Sequence, residues 1–240
     1  MIELYCATTP NVLKVEIMLE EVGEAYVLRP LDVWKGDQFS PEFRRLNPIA
    51  KVPVIVDRDE EGNALPVFES AAILMYLAEK HGRFLPSAGR ARTECLQWLV
   101  FQAANQGPAS GQLVHFQRYA GSGHDYSLNR YKNQAAEVWT VLEQRLSQTA
   151  FIGGSEYSIA DMASLTWVIS LSNLFGEQLP FFAIESDRHP ALSAWAAACK
   201  ERAAIKRALA MHATIRSGLP AATEMDKDRF FRRGDFSQNL

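Results

Sequence analysis

Two short runs hold the residues best placed to do chemistry. Val52-Pro53 heads the apolar run through Val56, and sixteen residues after Pro53 comes Glu69-Ser70, at the head of Ala71-Ala72-Ile73-Leu74. A proline at the mouth of a strand is tolerated where its peptide is cis or where the strand begins. Either arrangement turns the N–H and C=O of Val52 outward. A backbone left open in this way pairs with a peptide as one more strand would. Ser70, opening a helix, adds unpaired N–H groups and a partial positive charge that favour a carboxylate, and Glu69 beside it can hold an ammonium. Taken singly, valine-proline before an apolar run is an ordinary strand start and glutamate-serine an ordinary helix cap. In this order and spacing they describe a site for a short peptide with an amino-acid zwitterion at one end.

The elements that must position these runs change character once along the chain. Ile2 to Tyr5 reads as a strand, Asn11 to Val22 as a helix, Ala25 to Leu31 as a strand and Pro41 to Leu46 as a short helix capped by Ser40. Val54 to Val56, a turn at Glu61-Gly62-Asn63, Pro66 to Phe68 and a helix from Ser70 to Lys80 complete a β-α-β-α-β-β-α series. Strands separated by helices imply a parallel pair with a right-handed crossover, and strands joined by a tight turn imply an antiparallel edge. The expected first domain, 1–82, is therefore a thioredoxin-like α/β domain with a mixed four-stranded sheet. A linker at 83–89 follows. Helical patterns then dominate: Arg90 to about Phe116, Ser127 to Leu146, Ile159 to Asn173, Pro190 to Lys200 and Ala203 to His212. An all-helical bundle is expected over 90–220, with a polar tail at 221–240 whose packing the pattern leaves open. Ser158-Ile159-Ala160-Asp161 is a capping box that specifies where a buried helix begins.

Composition narrows the function. The chain has 240 residues, 48% of them hydrophobic, enough for a packed core. Its net charge is −3 and no basic stripe interleaved with aromatics occurs, which argues against nucleic acid and anionic membrane surfaces. Nowhere do eighteen apolar residues run together and the first residues lack a signal-like pattern, so a cytoplasmic protein is expected. Cys6, Cys95 and Cys199 are widely separated, odd in number and without metal-ligand spacing. They read as reduced core residues, with no metal expected.

Over nearly its whole length the chain resembles the glutathione transferase superfamily. Val52-Pro53 and Glu69-Ser70 match that family's glutathione-binding motifs, and Ser158 to Asp161 matches its helical-domain capping box. Thr9-Pro10-Asn11, Lys35-Gly36-Asp37-Gln38-Phe39, Leu96-Gln97-Trp98-Leu99, Gly107-Pro108, Gly111-Gln112 and His115-Phe116 look like the nu class. Those are bacterial proteins that reduce disulfides with glutathione, related to a prion-forming fungal nitrogen regulator. The resemblance implies glutathione, reduced or as its disulfide, as co-substrate, a small disulfide or electrophile as second substrate, and a homodimer. Two other activities stay open: conjugation of glutathione to an electrophile, and a non-catalytic glutathione-binding regulatory module.

In redox enzymes of this fold the turn between the first strand and first helix carries Cys-Pro-x-Cys, because a helix N-terminus lowers the pKa of a thiol there. Thr9-Pro10-Asn11-Val12 occupies that turn in this chain. A bound glutathione would have to supply the thiolate, with the Thr9 hydroxyl and Asn11 amide as the catalytic donors to it. The same residues are also good helix starters, Thr9 as cap and Pro10 at the first position. Gln38 and Lys51 can reach the glycyl end of glutathione, with a solvated surface as the alternative for each. Arg130 matches a nu-class arginine near a second glutathione or a facing subunit, or is an ordinary helix-surface arginine. Tyr5 reads as packed and Cys6 as a buried thiol.

Overall fold

The computed structural model describes residues 1–59, 61–185 and 187–233. These form two compact units: Met1–Ile73 together with the described residues from Arg207 onward, and Leu74–Lys206.

In the first unit β1 (Ile2–Cys6) runs parallel to β2 (Tyr26–Pro30) and antiparallel to β3 (Val54–Arg58), and β3 runs antiparallel to β4 (Ala64–Phe68), giving the order β2-β1-β3-β4. Helix α1 (Pro10–Val22) makes the parallel crossover, α2 (Pro41–Leu46) follows in sequence, and α3 (Ser70–His81) begins in this unit and continues into the second from Leu74. Alternation sets the sheet's faces: Ile2, Leu4 and Cys6 are buried while Glu3 and Tyr5 are half-buried. Glu3 accepts from Arg29 of β2 at 3.3 Å and from Arg58 of β3 at 3.2 Å, an ion-pair bridge across three strands. β4 starts two residues earlier than the sequence pattern suggests and holds Pro66 at its centre. The sheet accommodates this because β4 is an edge strand, where a missing donor need not face a partner. The β3–β4 turn is fixed by Asp59, whose carboxylate accepts from the Asn63 N–H at 2.8 Å and whose carbonyl accepts from Gly62 at 3.1 Å.

The chain's last described stretch also belongs to this unit. Arg207 donates to Glu20 at 2.6 Å, and His212 Nδ1 lies 2.5 Å from the buried Glu16. The polar segment after 221 contains a helix, α10 (Glu224–Phe231), capped by Thr223 and Asp226. Phe230 stacks on Trp34 with centroids 4.3 Å apart, and Lys35 pairs with Asp226 at 2.7 Å. Gly36 sits at this contact against the Arg229 guanidinium with φ +90°, a backbone conformation that favours glycine. Residues 234–240 of the expected tail lie outside the described residues.

The second unit is helical: α4 (Gly89–Phe101), α5 (Gly107–Arg118), α6 (Asp125–Leu146), α7 (Ile159–Phe175) and α8 (Pro190–Lys200), with α9 (Ala203–His212) running on into the first unit. The sequence pattern predicts one helix from Arg90 to Phe116, but a π-turn at Gln102–Gln106 divides it. A continuous α-helix would leave a carbonyl without the N–H that Pro108 lacks. The wider turn instead buries Gln102 and Gln106, and Gln106 donates to the Ser164 carbonyl of α7 at 3.0 Å. α7 is apolar nearly all round and almost wholly buried, as a central helix must be. No helix among the described residues is long and apolar enough to cross a membrane.

Candidate functional site

Strand register brings the three motifs of the first unit to one end of the sheet. Tyr5 pairs with Val54, so the turn that follows β1 lies beside the start of β3, where Val52-Pro53 stands. Val54 also pairs with Phe68, which places the end of β4, and therefore Glu69-Ser70, beside that same start. No search through loops is needed to assemble the site. Three ladder partners do it.

The Val52-Pro53 peptide is cis. Val52 lies outside the ladder, and no hydrogen bond among the described residues occupies its N–H or C=O. The approach to it is held by Asn47, a buried residue at the end of α2: its Nδ2 donates to the Lys51 carbonyl at 2.7 Å and its Oδ1 accepts from Ile49 N–H at 3.1 Å. Lys51 itself is exposed, free to present its ammonium to a carboxylate. Arg232, just past α10, donates to the Ile49 carbonyl at 3.2 Å, so the C-terminal segment steadies the same loop.

Thr9 caps α1 in extended conformation, its Oγ1 accepting from the Val12 N–H at 3.2 Å, and Pro10 takes the first helical position. The Thr9 hydroxyl hydrogen is still available to donate after that bond is made. Asn11 follows in the first turn, which contains no acidic residue. The first turn thus supplies no anion of its own at the positive end of α1. Nor does Cys6. It is 0% exposed, and burial, with the charge of Glu16 adding to it, pushes its thiol up to about 12 although an N–H from Arg29 acts the other way. Cys95 and Cys199 are buried in the second unit. The Tyr5 ring packs on Phe43, centroids 5.8 Å apart, in keeping with a packing role.

Glu69 turns the chain from β4 into α3 with φ +65°, its carbonyl accepting from Ile73 N–H at 2.9 Å. Its side chain is exposed, and Ser70 beside it stands at the first helical position, where backbone N–H groups have no intrahelical partner. Gln38 differs from an arm reaching into solvent: it is buried, and its Nε2 donates to the Val33 carbonyl at 3.0 Å. Arg130 is exposed on α6, in the other unit.

Sequence reasoning missed three contributors. Asn47 stands outside every motif that the sequence singles out. The α10 segment carries a legible Thr223-x-x-Asp226 capping box that a polar composition hides. Lys14 shares a helical stripe with Ile17 and Met18, three and four positions on, and is 1% exposed. Burial lowers its ammonium to about 7, with Glu69 pulling in the opposite direction. Among the described residues no group of three or more His, Cys, Asp or Glu could hold a metal ion.

Residues 2–79 match the model for the glutathione S-transferase N-terminal domain and residues 125–198 that for the C-terminal domain. The chain is 41% identical to disulfide-bond oxidoreductase YfcG of Escherichia coli, over 87% of this chain and 94% of the relative. A glutathione transferase from Pseudomonas putida, solved with one glutathione disulfide per subunit, superposes with a TM-score of 0.80 at 37% identity, covering 87% of this chain and 90% of that one. One from Pseudomonas fluorescens, solved with two glutathiones bound, gives the same TM-score and identity, covering 87% and 92%.

Proposed function

Taking as premise that the chain belongs to the glutathione transferase family, we propose that it is a glutathione-dependent disulfide oxidoreductase whose attacking thiolate belongs to the bound glutathione. The observation that carries this reading is the α1 turn: a helix N-terminus with hydroxyl and amide donors and no acid, in a chain whose nearest cysteine is sealed in the core with its thiol raised. The tripeptide lies along Val52 with its cysteinyl backbone paired to that residue's N–H and C=O. Its γ-glutamyl carboxylate meets Ser70 and the start of α3, and its ammonium meets Glu69. Lys51 and the second Nε2 hydrogen of Gln38 serve the glycyl end. Thr9 and Asn11 donate to the sulfur, and each unit of pKa depression they and the helix produce is worth about 1.4 kcal/mol of preference for the thiolate.

The reaction then runs in two exchanges. The glutathione thiolate attacks one sulfur of a small disulfide, forming a mixed disulfide and expelling the other sulfur as a thiolate. A second glutathione thiolate attacks the glutathione sulfur of that mixed disulfide, releasing the second substrate thiol and glutathione disulfide, so two glutathiones supply the two electrons. The two glutathiones and the glutathione disulfide held by the Pseudomonas relatives support a site with room for both sulfurs and favour this reading over conjugation. Arg130, exposed on α6, is kept for a second glutathione or a facing subunit. A homodimer fits the family, and three buried cysteines outside any disulfide fit the reducing cytoplasm.

Titration calorimetry tests the site. Losing a hydrogen bond to a charged group costs about 1.5–3 kcal/mol, so Ser70→Ala should weaken glutathione binding by roughly one to two decades. Unchanged affinity would remove Ser70 from the site.

A further inference from the structure

Three guanidinium groups meet over one phenyl ring. The guanidinium carbons of Arg44 in α2, of Arg229 in α10 and of Arg232 just past it lie 5.6, 5.4 and 5.9 Å from the centroid of Phe39. Cation–π attraction at an exposed site is modest, and three like charges gathered on one ring repel one another. The acids of the same elements are engaged elsewhere: Glu42 with Arg45 at 3.4 Å, Asp226 with Lys35 at 2.7 Å, Glu224 with Lys227 at 2.7 Å and Asp228 with Arg233 at 2.8 Å. Asp37, in the turn before Phe39, accepts from the Asp32 N–H at 2.8 Å. Among the described residues Arg44, Arg229 and Arg232 form no ion pair, so a chain of net charge −3 carries an unbalanced positive cluster here.

The arginines are held in place. Arg229 lies against Gly36, and Arg232, with φ +53°, donates to the Ile49 carbonyl at 3.2 Å. Residues with a side chain adopt that left-handed conformation rarely, and it gathers where geometry serves a ligand. The location is specific too. Phe39 follows Gln38, and Ile49 precedes the exposed Lys51 in the same loop, so the cluster adjoins the two residues given above to the glycyl end. A single glycyl carboxylate would leave most of this charge unanswered.

We propose that Arg44, Arg229 and Arg232 form an oxyanion subsite beside the glycyl end, for a small anion carrying two or more negative charges. Guanidinium forks match the paired oxygens of phosphate and carboxylate, and arginine clusters recur wherever multiply charged anions are read. The charge can come from a free phosphate-class anion or from a second carboxylate on the thiol peptide itself, at its third residue. The placement beside the glycyl end rests on the glutathione site proposed above; the anion site itself does not.

Calorimetry on the full-length protein at low salt tests this with three probes: inorganic pyrophosphate, glutathione, and the tripeptide with glutamate in place of glycine. Pyrophosphate should bind wild type, bind less well as salt is raised, and bind about tenfold more weakly after Arg44→Gln or Arg229→Gln, with melting temperatures unchanged. Arg90→Gln, which removes an exposed arginine from α4, should leave the affinity as it is. Arg232 is spared because its side chain also steadies the Ile49 loop. A free anion is the occupant if pyrophosphate binds equally well to protein saturated with glutathione and the two tripeptides bind alike. The peptide's own carboxylate is the occupant if the glutamate tripeptide binds at least about threefold tighter than glutathione, displaces pyrophosphate, and loses that preference in Arg229→Gln. Absence of both pyrophosphate binding and tripeptide preference would overturn the proposal. So would binding that Arg44→Gln and Arg229→Gln leave intact, or that Arg90→Gln weakens as much. If glutathione fails to bind while pyrophosphate binds and responds to the two arginines, the glutathione site falls and the anion site stands.

Discussion

The starts of α1 and α7 are built from similar residues and do opposite things. At α7 the cap is closed. Ser158 Oγ accepts from Ala160 N–H, and Asp161 turns back to accept from the Ser158 N–H at 3.0 Å, the Ser158 hydroxyl at 2.9 Å, the Ile152 N–H at 2.8 Å and the Trp195 indole at 2.9 Å. The positive end of that helix is met by a carboxylate of its own chain, 0% exposed. At α1 the cap is a threonine hydroxyl with a proline behind it and no acid in the first turn. A helix start that supplies its own anion is a structural joint. One that withholds it leaves its positive end to be met by something else, and for α1 we propose that this is a ligand anion.

Filling or emptying these two starts should therefore give different phenotypes. The largest effect belongs to Asp161→Ala, which orphans several buried donors at once. A cost of about 4 kcal/mol or more is expected, a fall in melting temperature of roughly 10 °C on a chain of this size, with glutathione affinity in the surviving folded fraction unchanged. Calorimetric unfolding beside a binding titration checks both halves. Next comes Thr9→Asp, which gives α1 the acid it lacks. Aspartate caps as well as threonine, so stability should hold, but a carboxylate about 4 Å from the sulfur opposes the thiolate by about 1–4 kcal/mol. The ultraviolet titration of bound glutathione thiolate should move up by one to three pH units and exchange should slow at least tenfold. A variant that melts early yet exchanges normally would reverse the assignment.

A smaller effect concerns Lys14. In the unfolded chain a lysine keeps its proton to about 10.4, whereas in the folded protein burial lowers this one to about 7. Between those values the unfolded state binds more protons, so stability should rise as pH rises from 7. The gain should level off near 9, where the unfolded Cys6 begins to ionise while the folded thiol, raised to about 12, does not. Denaturant midpoints between pH 7 and 9 should show this rise in wild type and a flatter line in Lys14→Met.

What the sequence discloses divides along similar lines. The β-α-β-α-β-β-α order, the cap at Ser158 and the convergence of Val52-Pro53 with Glu69-Ser70 are legible because each depends on local periodicity, a spaced pair of residues, or the register that a hairpin imposes. The π-turn at Gln102–Gln106 is not, since apolar residues keep a helical rhythm on both sides of it. Nor is α10 against Trp34, a contact between segments nearly two hundred positions apart in which two phenylalanines find a tryptophan. The burial of Gln38 and Lys14 is not legible either: polar residues are expected in solvent, and only the fold shows that a loop carbonyl holds one and that the other lies among the apolar residues of α1.

The central claim is that the reacting thiolate is the ligand's and not the protein's. Its most direct test is glutathione-dependent reduction of a small model disulfide, such as 2-hydroxyethyl disulfide, by the variant carrying Cys6→Ala, Cys95→Ala and Cys199→Ala together. The account predicts a rate within about threefold of wild type, since the sealed Cys6 has no part in exchange. A variant that is folded, binds glutathione and is nonetheless inactive would show that a protein thiol, with Cys6 the foremost candidate, is the nucleophile.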